Sequence, residues 1–392
     1  MTAALIPTGH EAHGYTCVRS LSQQGIETII ASEKPKVLAG TSRYCTESVS
    51  VSDPRADLLA YRDDLLEIAR RPAVRTVIPI RPAGAYLLSR YRDQFEAVTN
   101  LVTPPFEQFC DVVDRVRLLD AAEDAGVPVP ATATLGDVDE WSDEQIVKSR
   151  YNVLADQILP GKDPSDISVE KSLIHLPAGE SADSAALSET MAHEPIVQES
   201  NPSTAEYMVS AVYDHGEPLA LFQHRQIRGD TYAGGGGVYR ESAAIPELEA
   251  VARALLDELD WHGLACIEYM CHEETGEFVL TELNPRMWQS LPSTVRAGAD
   301  FPLYYWRAAT GRQDRIDCDY ELGVGTHSLH GELKHLLSLF RTDSPLVATP
   351  PATRRAREIL ASCLREPNFD YLSLDDPRPF VQGIRNKLSW HR

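Results

Sequence analysis

The sequence feature that most constrains the fold of this chain is a pair of short strands that alternate apolar and polar residues. They lie in residues 263–286, GLACIEYMCHEETGEFVLTELNPR. A three-residue loop joins them, and its last residue, Gly276, can adopt the left-handed backbone conformation that such a loop needs. The loop fixes the register of the hairpin, so Glu268 is predicted to lie directly opposite Glu282. Because strand side chains alternate with a period of two, Asn284 is predicted on the same face as Glu282.

Two carboxylates that face each other on strands this apolar repel unless a cation lies between them. Glu268, Glu282 and Asn284 together offer three oxygen donors, of which two are anionic. This set suits a hard ion such as Mg²⁺, which keeps its other sites for water and phosphate oxygens. Two other interpretations stay open: the acids are incidental on a surface hairpin, or Arg286 alone neutralises Glu282.

The N-terminal part, residues 1–104, alternates short apolar strands with helices, which predicts a parallel α/β layer. The predicted strands are Ala3–Pro7, Ile26–Ala31 and Val74–Ile80, with a helix up to Gln24 and another over Ala85–Gln94.

A helix over Asp111–Ala125 is predicted to stop at Gly126, and the prolines in VPVPAT then force an extended exit into a new domain. The remaining predicted elements are β-rich regions at 142–177 and 195–242, a loop and helix over 175–191, a helix over 246–259, and a helical, arginine-rich part beyond residue 317.

The chain is strongly acidic, with Lys+Arg 37 against Asp+Glu 58 and a formal charge of −21. A field of this sign repels nucleic acid and anionic membranes, so neither is expected as a partner. Only seven of the basic residues are Lys, and an acidic, Lys-poor surface is typical of a halophilic protein in a salt-rich cytoplasm. An acidic partner-binding face is the alternative.

Cysteine spacing also favours a cytoplasmic location, because the seven cysteines form no CxxC pair and are expected to be reduced thiols. The N-terminus lacks the basic and apolar regions of a signal peptide, and no apolar run is long enough to span a membrane.

Several segments resemble the ATP-grasp superfamily. TELNPR resembles its E-x-N-P-R signature, with Glu268 as the preceding strand acid. In matching order, DRVRLLDAAEDAGVPVPAT resembles the family's entry helix and exit, IVKS its lysine strand, PIVQES its adenine hinge, and AEYMVSAVYDHGEPLALFQHRQIR the following hairpin. The chain is most similar to the predicted ATP-dependent carboxylate–amine ligases within this superfamily.

The resemblance implies an α/β protein with an α+β central part: an ATP-grasp fold preceded by a parallel α/β domain. The expected divisions are an N-terminal domain at 1–104, an ATP-grasp domain at 105–316 and a helical extension at 317–392. Within the ATP-grasp domain, a lid of about 133–200 precedes a catalytic part of about 201–316.

The resemblance also implies Mg-ATP, with Mn²⁺ as a substitute, bound between the lid and the catalytic part. Lys148 would contact the α- and β-phosphates, while Arg115 stands where the family usually has Lys. The adenine pocket would be lined by Gln198, Glu199, which would accept from the exocyclic amine, and the backbone at Ser200 and Asn201. Glu206 would bind the ribose hydroxyls or else face solvent.

For catalysis, the resemblance implies that Arg225 or Arg228 faces the γ-phosphate and that Arg286 holds the acyl phosphate or the substrate carboxylate. The acceptor site is expected near Arg286, Trp288 and Ser290. Five histidines are candidates for substrate contacts only: His10, His13, His224, His327 and His330.

Two glycine patterns bear on the phosphates. The segment GDTYAGGGGVYRES is interpreted as a loop whose amides face the phosphates and which closes on the ligand, with a flexible surface turn as the alternative. The glycine-rich loop that covers the phosphates in many relatives is not evident, because Ser149–Asp156 contains no glycine.

The expected function is therefore that of a ligase, which activates a carboxylate with ATP as an acyl phosphate and joins it to an amine. The alternatives are a non-amine acceptor, or a nucleotide-binding protein without turnover. The expected partners are a small carboxylate and a small amine, and a homodimer is compatible with the sequence.

Overall fold

The computed structural model describes residues 2–138, 144–169, 171–180, 183–200, 203–342, 344 and 347–390. The N-terminal elements are β1 (Ala3–Ile6), α1 (Ala12–Gln23), β2 (Glu27–Ser32), β3 (Glu47–Ser50), α2 (Leu58–Ala69), β4 (Val74–Val77), α3 (Pro82–Arg90) and α4 (Arg92–Glu96). The four strands form a parallel sheet in the order β3-β2-β1-β4, which confirms the predicted α/β layer. The single helix predicted over 85–94 is instead divided between α3 and α4, which meet at Tyr91.

Strand β1 is buried on both faces of this sheet, since Ala4 and Ile6 belong to one apolar cluster and Ala3 and Leu5 to another. Burial on both sides explains why a parallel strand reads as a continuous apolar run in the sequence.

The helix predicted over Asp111–Ala125 is wrong in one respect, because the structure divides it into α5 (Phe106–Val113) and α6 (Arg115–Asp124). The break lies at Asp114, whose backbone is extended and whose side chain accepts a hydrogen bond from the backbone NH of Val116. Such a cap begins a helix. Arg150 also donates to both carboxylate oxygens of Asp114, at 2.9 and 2.7 Å, which ties the start of α6 to the next domain.

The central elements are β5 (Thr132–Thr134), β6 (Gln145–Lys148), β7 (Val153–Leu154), β8 (Ser168–Val169), β9 (Leu173–Leu176), α7 (Ser184–Met191) and β10 (Ile196–Glu199). Strands β5, β10, β6 and β9 form a small antiparallel sheet in that order. The pair β7–β8 packs instead on the N-terminal layer through Val153. The loop predicted from His175 begins later, because β9 continues through Leu176.

The remaining elements are β11 (Ser203–Asp214), β12 (Glu217–Thr231), β13 (Gly234–Ala243), α8 (Pro246–Glu258), β14 (Gly263–His272), β15 (Phe278–Asn284), α9 (Leu291–Arg296), α10 (Phe301–Ala309), β16 (Gly325–His327), α11 (Leu329–Ser338), α12 (Ala352–Arg365) and α13 (Arg378–Trp390). A large sheet in the order β15-β14-β11-β12-β13-β16 dominates this part. Its β14–β15 turn has Gly276 at φ 71°, the predicted left-handed conformation.

The part beyond residue 317, predicted to be helical, also supplies β16, which pairs with β13 at the edge of the large sheet. One face of this sheet packs on α6 and α8, with Val209 and Ile267 beside Leu255. The other face turns toward the N-terminal layer and the central sheet, so the large sheet is the floor on which the site described below is built. No helix among the described residues is long and apolar enough to cross a membrane.

Candidate active site

Strands β14 and β15 place Glu268 directly opposite Glu282, as the hairpin pattern predicts. Nearer the turn, Tyr269 lies opposite Leu280, so the register shifts and Thr281 forms a bulge that the sequence did not predict. A bulge re-aims the residues beyond it. Here it brings the two carboxylates onto one face of the large sheet.

Glu282 is the most densely contacted acid in the site. Asn152 donates to its Oε1 at 2.7 Å, and the Lys171 ammonium lies 3.1 Å from Oε1 and 3.2 Å from Oε2. The Arg115 guanidinium lies 3.6 Å away. The sequence does not predict Asn152 and Lys171 as part of the site, because they come from the central domain and no local pattern links them to the hairpin.

The two carboxylates have opposite pKa shifts. The cavity walls partly desolvate the Glu268 carboxylate although its side chain reaches solvent, and this desolvation, followed by repulsion from Glu282, raises its pKa. Burial also acts to raise the pKa of Glu282, but Lys171 and Arg115 outweigh it and hold that pKa below its usual value. The Glu268 side chain is exposed to solvent in the cleft. Lys171 and Arg115 also act on Glu268, but there they do not outweigh the effects that raise its pKa.

Asn284 ends β15 and is buried beside these acids. Arg286 follows two residues later; its guanidinium donates to Asn284 Oδ1 at 3.2 Å and to the carbonyl of Met287 at 2.9 Å. The backbone NH of Met287 in turn donates to the carbonyl of Pro79, after β4. Arg286 thus lies at the boundary between the large sheet and the N-terminal layer.

One cavity of about 610 Å³ brings most of the predicted residues together. It is bounded by the large sheet below and the central domain above, and its walls include the following predicted residues: Arg115, Lys148, Glu206, Glu268, Glu282, Asn284, Arg286, Trp288 and Ser290. Residues from helix α6, strand β6 and the β14–β15 hairpin therefore line one cavity, which is large enough for a nucleotide-sized ligand.

Lys148 ends strand β6 and has Ile196 and Leu173 as its strand neighbours, so no acid lies directly beside it in the sheet. Burial, together with the charge of Arg115, lowers its pKa to about 8. Arg115 begins α6 and donates to the carbonyl of Ser149, next to Lys148. Two cations on one wall of the cavity repel each other until an anion binds between them.

The predicted adenine residues lie farther along the central sheet. Gln198 shares its face with Lys148, whereas Glu199 points to the other face and is exposed. Gln198, Glu199 and Ser200 line a separate cavity of about 590 Å³. Asn201, the remaining residue of this group, lies outside the described residues.

Glu206, on β11, lies on the cavity side of the large sheet, and Gln226 donates a hydrogen bond to its carboxylate. Burial, and then repulsion from Glu268, raise its pKa to about 7. Glu206 is predicted either to bind the ribose or to face solvent, and in the structure its side chain lines the cavity.

The predicted glycine loop is in fact part of strand β13, so its interpretation as a loop is corrected. Its glycines nevertheless line the cavity at Gly235, Gly236 and Gly237. Strands β12 and β13 approach each other closely at this point: at Gly229 on β12, an added Cβ would lie 2.5 Å from the Gly234 carbonyl oxygen. Glycine lets the two strands approach this closely.

Arg225 and Arg228 are not brought to the cavity. Arg225 is exposed on the opposite face of β12 from His224 and Gln226. Arg228 is buried in an ion pair with Glu332, at 2.6 Å, and stacks on Tyr239. Neither guanidinium is therefore placed to contact a ligand between the sheets.

Of the five histidines, His224 lines the cavity, and burial lowers its pKa to about 3. His13 is buried near Arg286, and burial lowers its pKa to about 4. His10 bonds Ser32 and Glu33 in the N-terminal layer, and His327 is buried against Glu332. His330 is exposed on α11.

The donor set fits a magnesium ion. Glu268 and Glu282 supply opposed carboxylates, Asn284 supplies an amide oxygen held by Arg286, and the cavity leaves room for phosphate oxygens. Mg²⁺ is commonly bound by one or two carboxylates together with substrate phosphates and water.

Comparison with protein-family models and with curated proteins gave no match. Solved structures do match. An N5-carboxyaminoimidazole ribonucleotide synthetase, solved as an ADP complex, is 15% identical with a TM-score of 0.61, over 94% of this chain and 98% of that chain. The biotin carboxylase domain of Hydrogenobacter thermophilus 2-oxoglutarate carboxylase, solved with MgADP and bicarbonate, is 14% identical with a TM-score of 0.59, over 83% and 73%.

A third similar structure, L-amino acid ligase from Bacillus licheniformis, is 13% identical with a TM-score of 0.58, over 81% of this chain and 78% of that chain. At such identities the likeness concerns the fold. The chain has the ATP-grasp fold, with a parallel α/β domain before it.

Proposed function

We propose that this chain is an ATP-dependent ligase that activates a carboxylate as an acyl phosphate and joins it to an amine. The observation that carries the proposal is the pairing of Glu268 with Glu282 on the floor of a cavity whose wall holds Lys148 and Arg115. The two carboxylates can bind a cation, and the two cationic side chains can bind phosphate oxygens. Both pairs line one cavity, which is the arrangement that phosphoryl transfer requires.

In the proposed nucleotide site, Lys148 and Arg115 neutralise phosphate oxygens, and the metal held by Glu268, Glu282 and Asn284 would supply further charge neutralisation there. Gln198, on the same face of the central sheet as Lys148, would border the adenine, whereas Glu199 on the opposite face is not assigned to the nucleotide. Glu206 would accept from the ribose hydroxyls.

The first step forms a bond between a substrate carboxylate oxygen and the γ-phosphorus while the bond to the β-phosphate oxygen breaks, which releases ADP. In the second step an amine attacks the acyl carbon, loses a proton, and expels inorganic phosphate. Arg286 can hold the carboxylate or the acyl phosphate with its planar guanidinium, because Asn284 and the Met287 carbonyl already fix its orientation.

The acceptor would enter between the N-terminal layer and the large sheet. Trp288 and Ser290 line the cavity on that side, and His13, in α1, lies near both Arg286 and Arg81. An amine acceptor is supported by one similar structure, which is named an amino acid ligase.

A nucleotide-binding protein without turnover is the second candidate. It is favoured by Arg115 in place of the usual Lys, and by Glu282 being already engaged by Asn152 and Lys171. The two candidates differ in turnover, which can be measured.

The test is ADP and phosphate release with simple carboxylic acids and simple amines, supplied singly and in pairs. The proposed ligase releases both products only when an acid and an amine are present together, and Glu282→Gln abolishes the release. A protein that binds ATP but releases nothing with any pair would favour the second candidate.

The proposal fits a cytoplasmic enzyme, where ATP and Mg²⁺ are available, and all seven cysteines are free thiols in the structure. Its partners would be a small carboxylate and a small amine, and a homodimer is compatible with it. Mn²⁺ is expected to substitute for Mg²⁺, because the ligands are oxygens.

A further inference from the structure

Lys171 reaches from the central domain to the floor of the cavity. It precedes strand β9, and its ammonium lies almost equally far from the two oxygens of Glu282, at 3.1 and 3.2 Å. The ammonium therefore bridges the carboxylate much as a metal ion would. Its attraction also extends to Glu268, where it opposes the rise in pKa that desolvation and Glu282 cause.

The chain segment that contains Lys171 contacts Glu282 twice, since Asn152 at its beginning donates to the same carboxylate at 2.7 Å. Between these two residues, the segment is anchored elsewhere: Tyr86 donates to Asp156, and the backbone NH of Leu58 donates to the carbonyl of Ser165. Through Asn152 and Lys171, the described part of this segment is thus attached to Glu282 on the large sheet.

The two cations beside Glu282 differ in how freely they can move away. Arg115 has only 10% of its side chain exposed and is held by the Ser149 carbonyl. Lys171 has 47% of its side chain exposed, and a flexible four-carbon chain lets the ammonium swing into solvent. Lys171 is therefore the cation that can leave when another one arrives.

We propose that Lys171 is a placeholder cation, which neutralises the Glu268–Glu282 pair in the nucleotide-free protein and is displaced when a divalent ion binds there. The inference rests on the proposed function, because it takes these carboxylates as the metal site. Displacement leaves the Lys171 ammonium free to contact incoming phosphate oxygens. It also breaks one of the two contacts, those of Asn152 and Lys171, that join this segment to Glu282. Metal binding and the position of the lid segment are thereby coupled.

The experiment measures Mn²⁺ affinity of the full-length protein without nucleotide, by the loss of the free Mn²⁺ signal in electron paramagnetic resonance. Lys171→Met removes the competing charge, so Mn²⁺ binds about twofold to fivefold tighter, the scale of a half-exposed ion pair. Lys171→Arg keeps the charge and stays near the wild type. Lys162→Met is the matched control, since this lysine of the same segment bonds Ser168 at the surface.

Unchanged or weaker Mn²⁺ binding in Lys171→Met would overturn the inference, and Lys171→Gln repeats the measurement if the first variant folds poorly. Glu282→Gln separates this failure from that of the proposed function. If Glu282→Gln loses Mn²⁺ binding while Lys171→Met does not bind Mn²⁺ more tightly, only the proposed placeholder role of Lys171 fails. If Glu282→Gln binds Mn²⁺ like the wild type, the metal site itself is elsewhere and both proposals fail.

Discussion

Lys148 is a lysine kept in an unfavourable environment by the fold. It lies on an apolar strand between Ile196 and Leu173, and burial and Arg115 both act against its charge. A bound anion therefore stabilises the charged form of Lys148 strongly, because the ligand supplies a counter-charge that the neighbouring strands do not provide.

Lys148→Ala should weaken ATP binding by roughly tenfold to a hundredfold, which corresponds to the loss of a charge-assisted contact worth about 1.5–3 kcal/mol. Adenosine, which has no phosphates, should bind almost unchanged. Calorimetry of both ligands, with Lys162→Ala as the control, measures the difference. Equal losses for ATP and adenosine would mean that Lys148 supports the pocket and does not contact the phosphates.

The pH dependence of ATP binding should report the same residue. Because the pKa of Lys148 is lowered to about 8, the free protein loses this proton well below the usual Lys range. Phosphates favour the charged form, so ATP affinity should be fully present below about pH 8 and fall as pH rises beyond it. Lys148→Arg, always charged, should remove this fall. A wild-type affinity that stays constant up to about pH 10 would contradict the assignment.

At the residue scale, the sequence predicts the part of the site that depends on local periodicity. Glu268 and Glu282 share one hairpin, so their pairing can be predicted locally, although it depends on the bulge at Thr281, which no sequence pattern marks. Asn152 and Lys171 reach Glu282 across more than a hundred positions, and no period or spacing marks such a contact. The predicted contact of Arg228 with the γ-phosphate fails for the same reason, because its actual partner, Glu332, belongs to a helix far along the chain.

Among the elements, the β12–β13 hairpin offers a test of close backbone approach. At Gly229 an added Cβ would lie 2.5 Å from a backbone oxygen, whereas at Gly236 the nearest atom is 3.6 Å away, in the Gln289 side chain. Gly229→Ala should therefore lower the free energy of unfolding by about 2 kcal/mol, within the usual cost of overpacking. Gly236→Ala, the matched control, should cost much less. Equal melting temperatures for the two variants would show that the hairpin adapts.

The elements also show where sequence patterns fail. The helix predicted over 111–125 breaks at Asp114 because a tertiary partner, Arg150, holds that carboxylate. The four glycines are interpreted as a loop because their backbone freedom makes them costly in a core, yet the structure places them in β13, paired with β12. Strand β16 was missed because three residues carry no detectable alternation. For Asp114 and for β16, the partner lies far along the chain, so no local pattern marks the structure.

For the whole molecule, charge is unevenly distributed along the chain. Residues 317–392 carry ten basic and ten acidic side chains, so the formal charge of −21 belongs entirely to residues 1–316. Self-repulsion of the acidic part should destabilise the fold at low salt.

The melting temperature should therefore rise as KCl is added to molar concentration, because screening shortens the range of this repulsion. NaCl should act similarly, since screening depends on ionic strength and not on the cation. A melting temperature that falls steadily with added salt would contradict the halophilic interpretation.

The central claim for the whole molecule is that one cavity binds Mg-ATP through the Glu268–Glu282 pair. The most direct test compares ATP binding with Mg²⁺ and with a chelator, in the wild type, in Glu282→Gln and in the exposed hairpin control Glu274→Gln. Circular dichroism checks that each variant is folded. The wild type and Glu274→Gln should bind ATP about tenfold tighter with Mg²⁺, the scale of one charge-assisted interaction, and Glu282→Gln should lose that gain. A folded Glu282→Gln variant that keeps the full Mg²⁺-dependent gain would contradict the account.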